Sequence, residues 1–175
     1  TILEDARRHG IEIRPVDVNK SSWEASLEPA DDAARRRGHP HALRMGFASV
    51  KGFGARERTL FEGASAPFTG LRDFVHRSKL PDKHLVALAE AGAFDSFGLE
   101  RRDAIWSIRG RIAERTDSMP LPDAPSQPRF EPTTLGENIA WDHHHMEHST
   151  RGHPLEPIRA ALRARGLPDA NAVSR

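Results

Sequence analysis

The sequence contains no cysteine, which excludes disulfides and thiolate metal ligands and makes a cytoplasmic setting the expectation. It also lacks any apolar run near the ~18–20 residues that a membrane-spanning helix needs, so no membrane partner is expected. Apolar residues are scarce: 37% of the 175 residues are hydrophobic, 29% are charged and 13 are proline. Such a balance predicts a modest core with irregular connections rather than a large globular enzyme. Net charge is only +1, but it is unevenly spread. Residues 35–115 hold 16 Lys and Arg against 9 Asp and Glu, and the rest of the chain holds 10 against 16. A basic middle between acidic ends suits a polyanionic partner. Solvated, arginine-rich helix faces give the same numbers, and on charge alone they are the favoured reading.

The residue pattern predicts mainly α structure with a small β appendage. Residues 2–10 read as the last turns of a helix, with Ile2, Leu3 and Ala6 apolar, basic residues in the final turn and Gly10 as a stop. A start in mid-helix leads to the expectation of a longer parent protein. Ile11 to Val18 and Trp23 to Leu27 alternate around the turn residues 19–22 and predict a strand pair. Residues 28–41, with Arg35-Arg36-Arg37, predict an exposed loop, and Ala42 to Phe47 a third strand.

From Ala48 the pattern changes to short helices between glycines. The first spans 55–62, with Leu60 and Phe61 inward. The second is capped by Thr69 and runs through Leu71, Phe74 and Val75 to Ser78. The third opens at Pro81, turns Leu85, Val86, Leu88 and Ala89 inward and stops at Gly92. The longest covers 99–115, with Ile105, Trp106, Ile108 and Ile112 on one stripe. Five prolines between residues 117 and 132 make that stretch a linker. Helices at 135–148 and 154–165 follow.

Chemistry concentrates in the order helix, Gly-x-Gly turn, helix, connecting helix, helix, glycine turn, helix. The first turn is Val50-Lys51-Gly52-Phe53-Gly54, and a helix opens at Ala55. Glycine at 52 and 54 lets the backbone take positive φ and approach a partner closely. The free amides and positive dipole end of the following helix then face that partner, with Lys51, Arg56 and Arg58 adding charge. Such a device holds phosphate without reading bases. A Gly-x-Gly before a helix also occurs as a plain tight turn. The second turn, Gly92 to Gly98, stands in the corresponding place. Phe94 and Phe97 read as core plugs, and Arg101 and Arg102 either reach a phosphate or are solvated. The candidate DNA-binding set is therefore Lys51, Gly52, Phe53, Gly54, Ala55, Arg56, Arg58, Gly92, Gly98, Arg101 and Arg102.

A rival constellation is His143-His144-His145 with His148 and His153. His144 and His148 are four apart, the spacing of a zinc-binding pair on one helix face. Glu147 falls elsewhere on the helix wheel, and three consecutive histidines face three directions. A solvated face is the reading, with no metal site assigned and His153 as a cap or packing residue. No catalytic constellation stands out.

Several strings share a resemblance. Leu43-Arg44-Met45-Gly46-Phe47-Ala48-Ser49-Val50-Lys51-Gly52-Phe53-Gly54 resembles the strand-to-hairpin segment of the bacterial DNA polymerase III alpha family. Residues 10–21, from Gly10-Ile11-Glu12-Ile13 to Asn19-Lys20-Ser21, resemble the preceding stretch, and Ala91-Gly92-Ala93-Phe94-Asp95 the second hairpin. Leu99-Glu100-Arg101-Arg102-Asp103-Ala104-Ile105-Trp106 and His153-Pro154-Leu155 are similar to the error-prone branch. The match runs in order from Leu3 to Leu162. The resemblance implies that residues 1–47 end the fingers region and 48–115 form a tandem helix-hairpin-helix domain gripping duplex or primer-template DNA. Residues 116–134 would be a Pro-rich linker, and 135–175 a helical segment leading toward an oligonucleotide-binding barrel.

The family's catalytic aspartates lie upstream, so the resemblance implies a non-catalytic, sequence-independent DNA-binding region without a cofactor of its own. The parent polymerase is expected to use magnesium. Its implied setting is translesion synthesis in DNA damage repair, beside polymerase-like and recombinase-like accessory proteins and the sliding clamp. Two departures stand against the pattern: Arg58, where a small apolar residue is usual, and the histidine richness near Asp142. The alternatives are a protein-interaction module docking an accessory subunit and a fragment of a metal-dependent hydrolase.

Overall fold

Short alternation near the amino terminus produces a three-stranded sheet in the computed structural model, which describes residues 2–64, 66–116, 130–146 and 149–167 (side chains at 113–116 and 145–146 excepted). Helix α1, Ile2–Arg8, precedes the strands β1, Ile13–Arg14, β2, Ser26–Pro29, and β3, His41–Arg44. The order is β1-β3-β2, with β1 parallel and β2 antiparallel to β3. The expected pairing of the first two segments is thus corrected, because the third lies between them. The turn that was to join them is tied elsewhere. Ser21 donates its hydroxyl to the Met45 carbonyl at 2.8 Å, and the Phe47 amide bonds Ser22 O at 3.2 Å. Glu28 crosses the sheet, accepting from Arg14 at 2.8 Å and from Arg44 at 3.0 Å.

The expected loop at 28–41 is corrected too, since it carries a single helical turn, α2, Asp32–Arg36. Asp31 caps it by accepting the Ala34 amide at 2.6 Å, and the arginines at its end suit the dipole. One buried residue, Ala34, is enough to hold so short a helix, packed with Ala30 and Ala42. Little apolar periodicity was therefore available in the sequence.

Five longer helices follow: α3 Ala55–Glu62, α4 Leu71–Ser78, α5 Asp82–Ala91, α6 Arg101–Thr116 and α7 Leu135–Met146, then a short α8, Arg159–Ala164. Helix α4 buries Leu71, Phe74, Val75 and Ser78, the stripe its spacing predicts. Its cap is Gly70, not Thr69, whose amide is instead taken by Asp73 at 3.0 Å. Trp106 leaves the expected inward stripe of α6. It is 49% exposed and meets Phe130 edge-on at 5.8 Å, while Ile108 stays buried.

Phe74 is the centre of the core, with Phe61, Phe68 and Phe94 around it at 5.9, 4.9 and 5.4 Å. Val16, Val18 and Phe47 belong to the same cluster as the buried residues of α4, α5 and α6. The division expected at residue 47 falls inside this core. The protein is mainly α with a small β appendage, and its sheet segment and helical hairpins hold one another in place.

Candidate nucleic-acid interface

The first hairpin is preceded by a 3-10 turn, Phe47–Ser49, in place of the expected helix. Gly52 has φ +86, a left-handed conformation that side chains rarely adopt. Gly54 does not use that freedom: at φ −139 and ψ −166 it is extended backbone. It caps α3, and its amide donates to Glu57 Oε2 at 3.0 Å. That amide is therefore occupied. Ala55 and Arg56 are the first two residues of α3, where no intrahelical acceptor exists. Both are exposed, and neither amide has a hydrogen bond among the described residues.

Glu57 and His84 buttress the turn from beneath. The Nε2 of His84, on α5, lies 3.2 Å from the Gly52 carbonyl and 3.4 Å from Glu57 Oε1, and the ring is 4% exposed. Phe53 is half-buried, edge-on to His84 at 5.2 Å and near Trp23 at 6.3 Å, so it packs inward. The Glu57 carboxyl is held below the usual range, first by its own backbone amide, then by the Gly54 amide and the neighbouring His84 and Lys83, against the effect of burial. Lys51 and Arg56 are exposed and carry no ion pair among the described residues. Arg58 is exposed but engaged, with Glu62 at 2.7 Å and Glu24 at 3.9 Å. It points away from the core, so its departure from the family pattern leaves the packing of α3 intact.

The second hairpin is built for a different task. Gly92, φ +76, ends α5, and a Cβ there would meet the Arg101 guanidinium at 2.8 Å. Arg101 is 3% exposed. It pairs with Asp142 of α7, donates to the Asn138 carbonyl at 3.0 Å and reaches the Ala91 carbonyl at 3.5 Å. Arg102 bonds Glu137 of α7 and, at 3.3 Å, the Glu131 carbonyl. Both arginines expected near phosphate are thus spent on the carboxy-terminal segment. Asp17 takes the Ser96 amide at 3.0 Å, and Ala93 O accepts from Val18 N at 2.9 Å, so the sheet segment closes the turn from the other side. Gly98, φ +68, remains exposed with open space where a side chain would sit.

Of the candidate set, Lys51, Gly52, Gly54, Ala55 and Arg56 converge on one exposed turn, and Arg58 lies beside it. Phe53, Gly92 and Arg101 are internal. Sequence reasoning missed Glu57, His84, Asp17 and Asp142. Glu57 stands three residues after its cap, the capping-box position, but Gly54 lacks the side chain that completes that signature. His84 is 32 residues from its partner and left no local signal. His143 and His144 are exposed, His148 and Glu147 lie outside the described residues, and His153 accepts the Leu155 amide at 3.2 Å, a local turn bond and not a helix cap. Among the described residues no cluster of metal-ligating side chains occurs.

A family model described as a helix-hairpin-helix motif matches residues 10–104. Error-prone DNA polymerase 2 of Rhizobium meliloti (strain 1021) is 37% identical over 182 residues, covering 95% of this chain and 16% of the relative. The error-prone DNA polymerase of Azoarcus sp. (strain BH72) is 39% identical over 171 residues, covering 94% of this chain and 16% of the relative. That of Burkholderia pseudomallei (strain K96243) is 35% identical over 175 residues, with 98% and 16% covered. The chain spans about one-sixth of the length of these relatives. It belongs to the helix-hairpin-helix family and aligns with one segment of error-prone DNA polymerases.

Proposed function

We propose that this chain is the non-catalytic part of an error-prone DNA polymerase that holds the DNA backbone without regard to sequence. The observation that carries the reading is the first hairpin. Two helix-terminal amides, of Ala55 and Arg56, stand open at its surface, with the uncommitted cations of Lys51 and Arg56 beside them. Amides and lysine or arginine charges recognise phosphate oxygens, and phosphates carry no sequence. The second hairpin supports the grip indirectly, by fastening the carboxy-terminal helices to the pair α5–α6. In the whole polymerase, nucleotidyl transfer belongs to catalytic aspartates upstream with magnesium. The setting is cytoplasmic, in translesion synthesis and DNA damage repair, with primer-template DNA, polymerase-like and recombinase-like accessory proteins and the sliding clamp as partners.

Titration of the chain with two unrelated duplexes of equal length, each at two salt concentrations, tests this. Both should bind alike, and affinity should fall steeply as salt rises. A preference of more than about tenfold for one sequence at fixed salt would overturn the reading. A second reading, a module docking an accessory subunit, draws on the exposed Leu135, Leu155 and Ile158 of the carboxy-terminal segment, each 47–48% exposed. A folded chain that binds neither duplex moves the assignment there.

A further inference from the structure

We propose that His84 is the positioning residue of the first hairpin: one ring N–H, delivered from α5, fastens both ends of the turn and so fixes the Ala55 and Arg56 amides for a phosphate oxygen. This rests on the DNA-backbone reading above. The Nε2 faces two acceptors, the Gly52 carbonyl at 3.2 Å and Glu57 Oε1 at 3.4 Å. An imidazole nitrogen aimed at two acceptors must carry the proton. The other nitrogen, Nδ1, is buried without a partner, the arrangement in which a bare lone pair costs less than a stranded N–H. Geometry therefore selects one tautomer.

The second oxygen of Glu57 takes the Gly54 amide at 3.0 Å. Gly52 and Gly54, the two ends of the Gly-x-Gly turn, are thereby joined through one ring and one carboxylate. Phe53, edge-on to the ring at 5.2 Å, closes the remaining side. At 4% exposure His84 does not itself reach DNA. A histidine serving only as core filler needs neither acceptor, whereas this one meets both. It also makes the second helical unit a structural support of the first hairpin.

The test compares His84→Leu, which keeps bulk but removes the N–H, with His84→Gln, which keeps an N–H at similar reach. Duplex affinity should fall about tenfold in the leucine variant, the worth of one well-placed hydrogen bond, and recover in the glutamine variant. The slope of affinity against salt should stay unchanged, because no lysine or arginine contact with phosphate is removed. Amide exchange at Gly54, whose bond to Glu57 the ring steadies, should quicken with leucine and not with glutamine. A leucine variant that binds like the parent, or a glutamine variant as weak as leucine, overturns the proposal. Should the parent bind no DNA, the functional reading fails by itself, and equal amide protection in parent and leucine variant would overturn the positioning role separately. If leucine prevents folding, the ring-nitrogen spectrum of the parent decides: a proton on Nε2 sustains the proposal, and one on Nδ1 ends it.

Discussion

The guanidinium of Arg101 lies against the carboxylate of Asp142, with the two side chains 2% and 0% exposed. Ser149 donates its hydroxyl to the other Asp142 oxygen at 2.7 Å, and Arg151 stands 4.0 Å away. The pair joins α6 to α7 directly beneath Gly92, where only a missing side chain leaves room for the arginine. A position that reads as a phosphate ligand in the sequence is thus the pin that secures the carboxy-terminal segment.

Removing one partner strands a buried charge. Asp142→Ala should cost about 3–5 kcal/mol, measured as a shift in urea unfolding. Pairing it with Arg101→Met should restore most of that loss, since no unpaired charge remains. Equal destabilisation in the single and double variants would mean that the pocket needs the ions for shape.

The two glycines of the first turn should separate fold from binding. Gly52→Ala forces a side chain into φ +86 and should lower stability by about 1–3 kcal/mol. Gly54→Ala meets only Glu57 Oε2, at an ordinary 3.7 Å, on extended backbone, and should cost less than Gly52→Ala, about 0.5 kcal/mol from the poorer helix cap. Gly54→Val, bulkier at the mouth of α3, should weaken duplex binding by more than any change in unfolding explains. Reversed outcomes, with Gly54 governing stability, would contradict the observed backbone.

The helices were legible because their apolar positions repeat with the helical period, as at Leu71, Phe74, Val75 and Ser78, and because Gly92 marks an end. The first hairpin was legible as Gly-x-Gly before a helix. What the sequence hid was long-range partnership. The roles of Arg101 and Arg102 depend on Asp142 and Glu137, 41 and 35 residues away. The order of the strands depends on β1 and β2 both choosing β3 as partner, at separations of about 30 residues for β1 and 18 or fewer for β2. Local periodicity holds no record of such pairings.

Acid should unfold the protein through its bonded carboxylates. Glu28 is held below its ordinary 4.5 first by Arg44 and then by Arg14, and Glu12 by Arg14. Glu57 and Glu137 are lowered chiefly by backbone amides. With folded values below unfolded ones, the folded state binds fewer protons. Stability from these groups is complete above the ordinary carboxylate range and is lost as pH falls through the folded values. Unfolding free energy measured across pH 3–6 should therefore fall toward acid, with a shallower slope in Glu28→Gln. An unchanged slope in that variant would remove the sheet-crossing bridge from the explanation.

Charge contacts with phosphate can be counted by salt. Lys51 and Arg56 are exposed and uncommitted, so Lys51→Ala and Arg56→Ala should each reduce the slope of log affinity against log salt by about 0.9 while leaving stability within about 0.5 kcal/mol. Arg58 is already bonded to Glu62 at 2.7 Å, and reaching a phosphate would require leaving that carboxylate. Arg58→Ala should therefore change the slope by less. Arg102, tied to Glu137 of α7, should change it not at all. Fluorescence anisotropy with one duplex across four salt concentrations resolves slopes of this size. If Arg102→Ala flattens the slope as much as Lys51→Ala, the second hairpin contacts DNA after all, and the ion pairs to α7 must open when it binds.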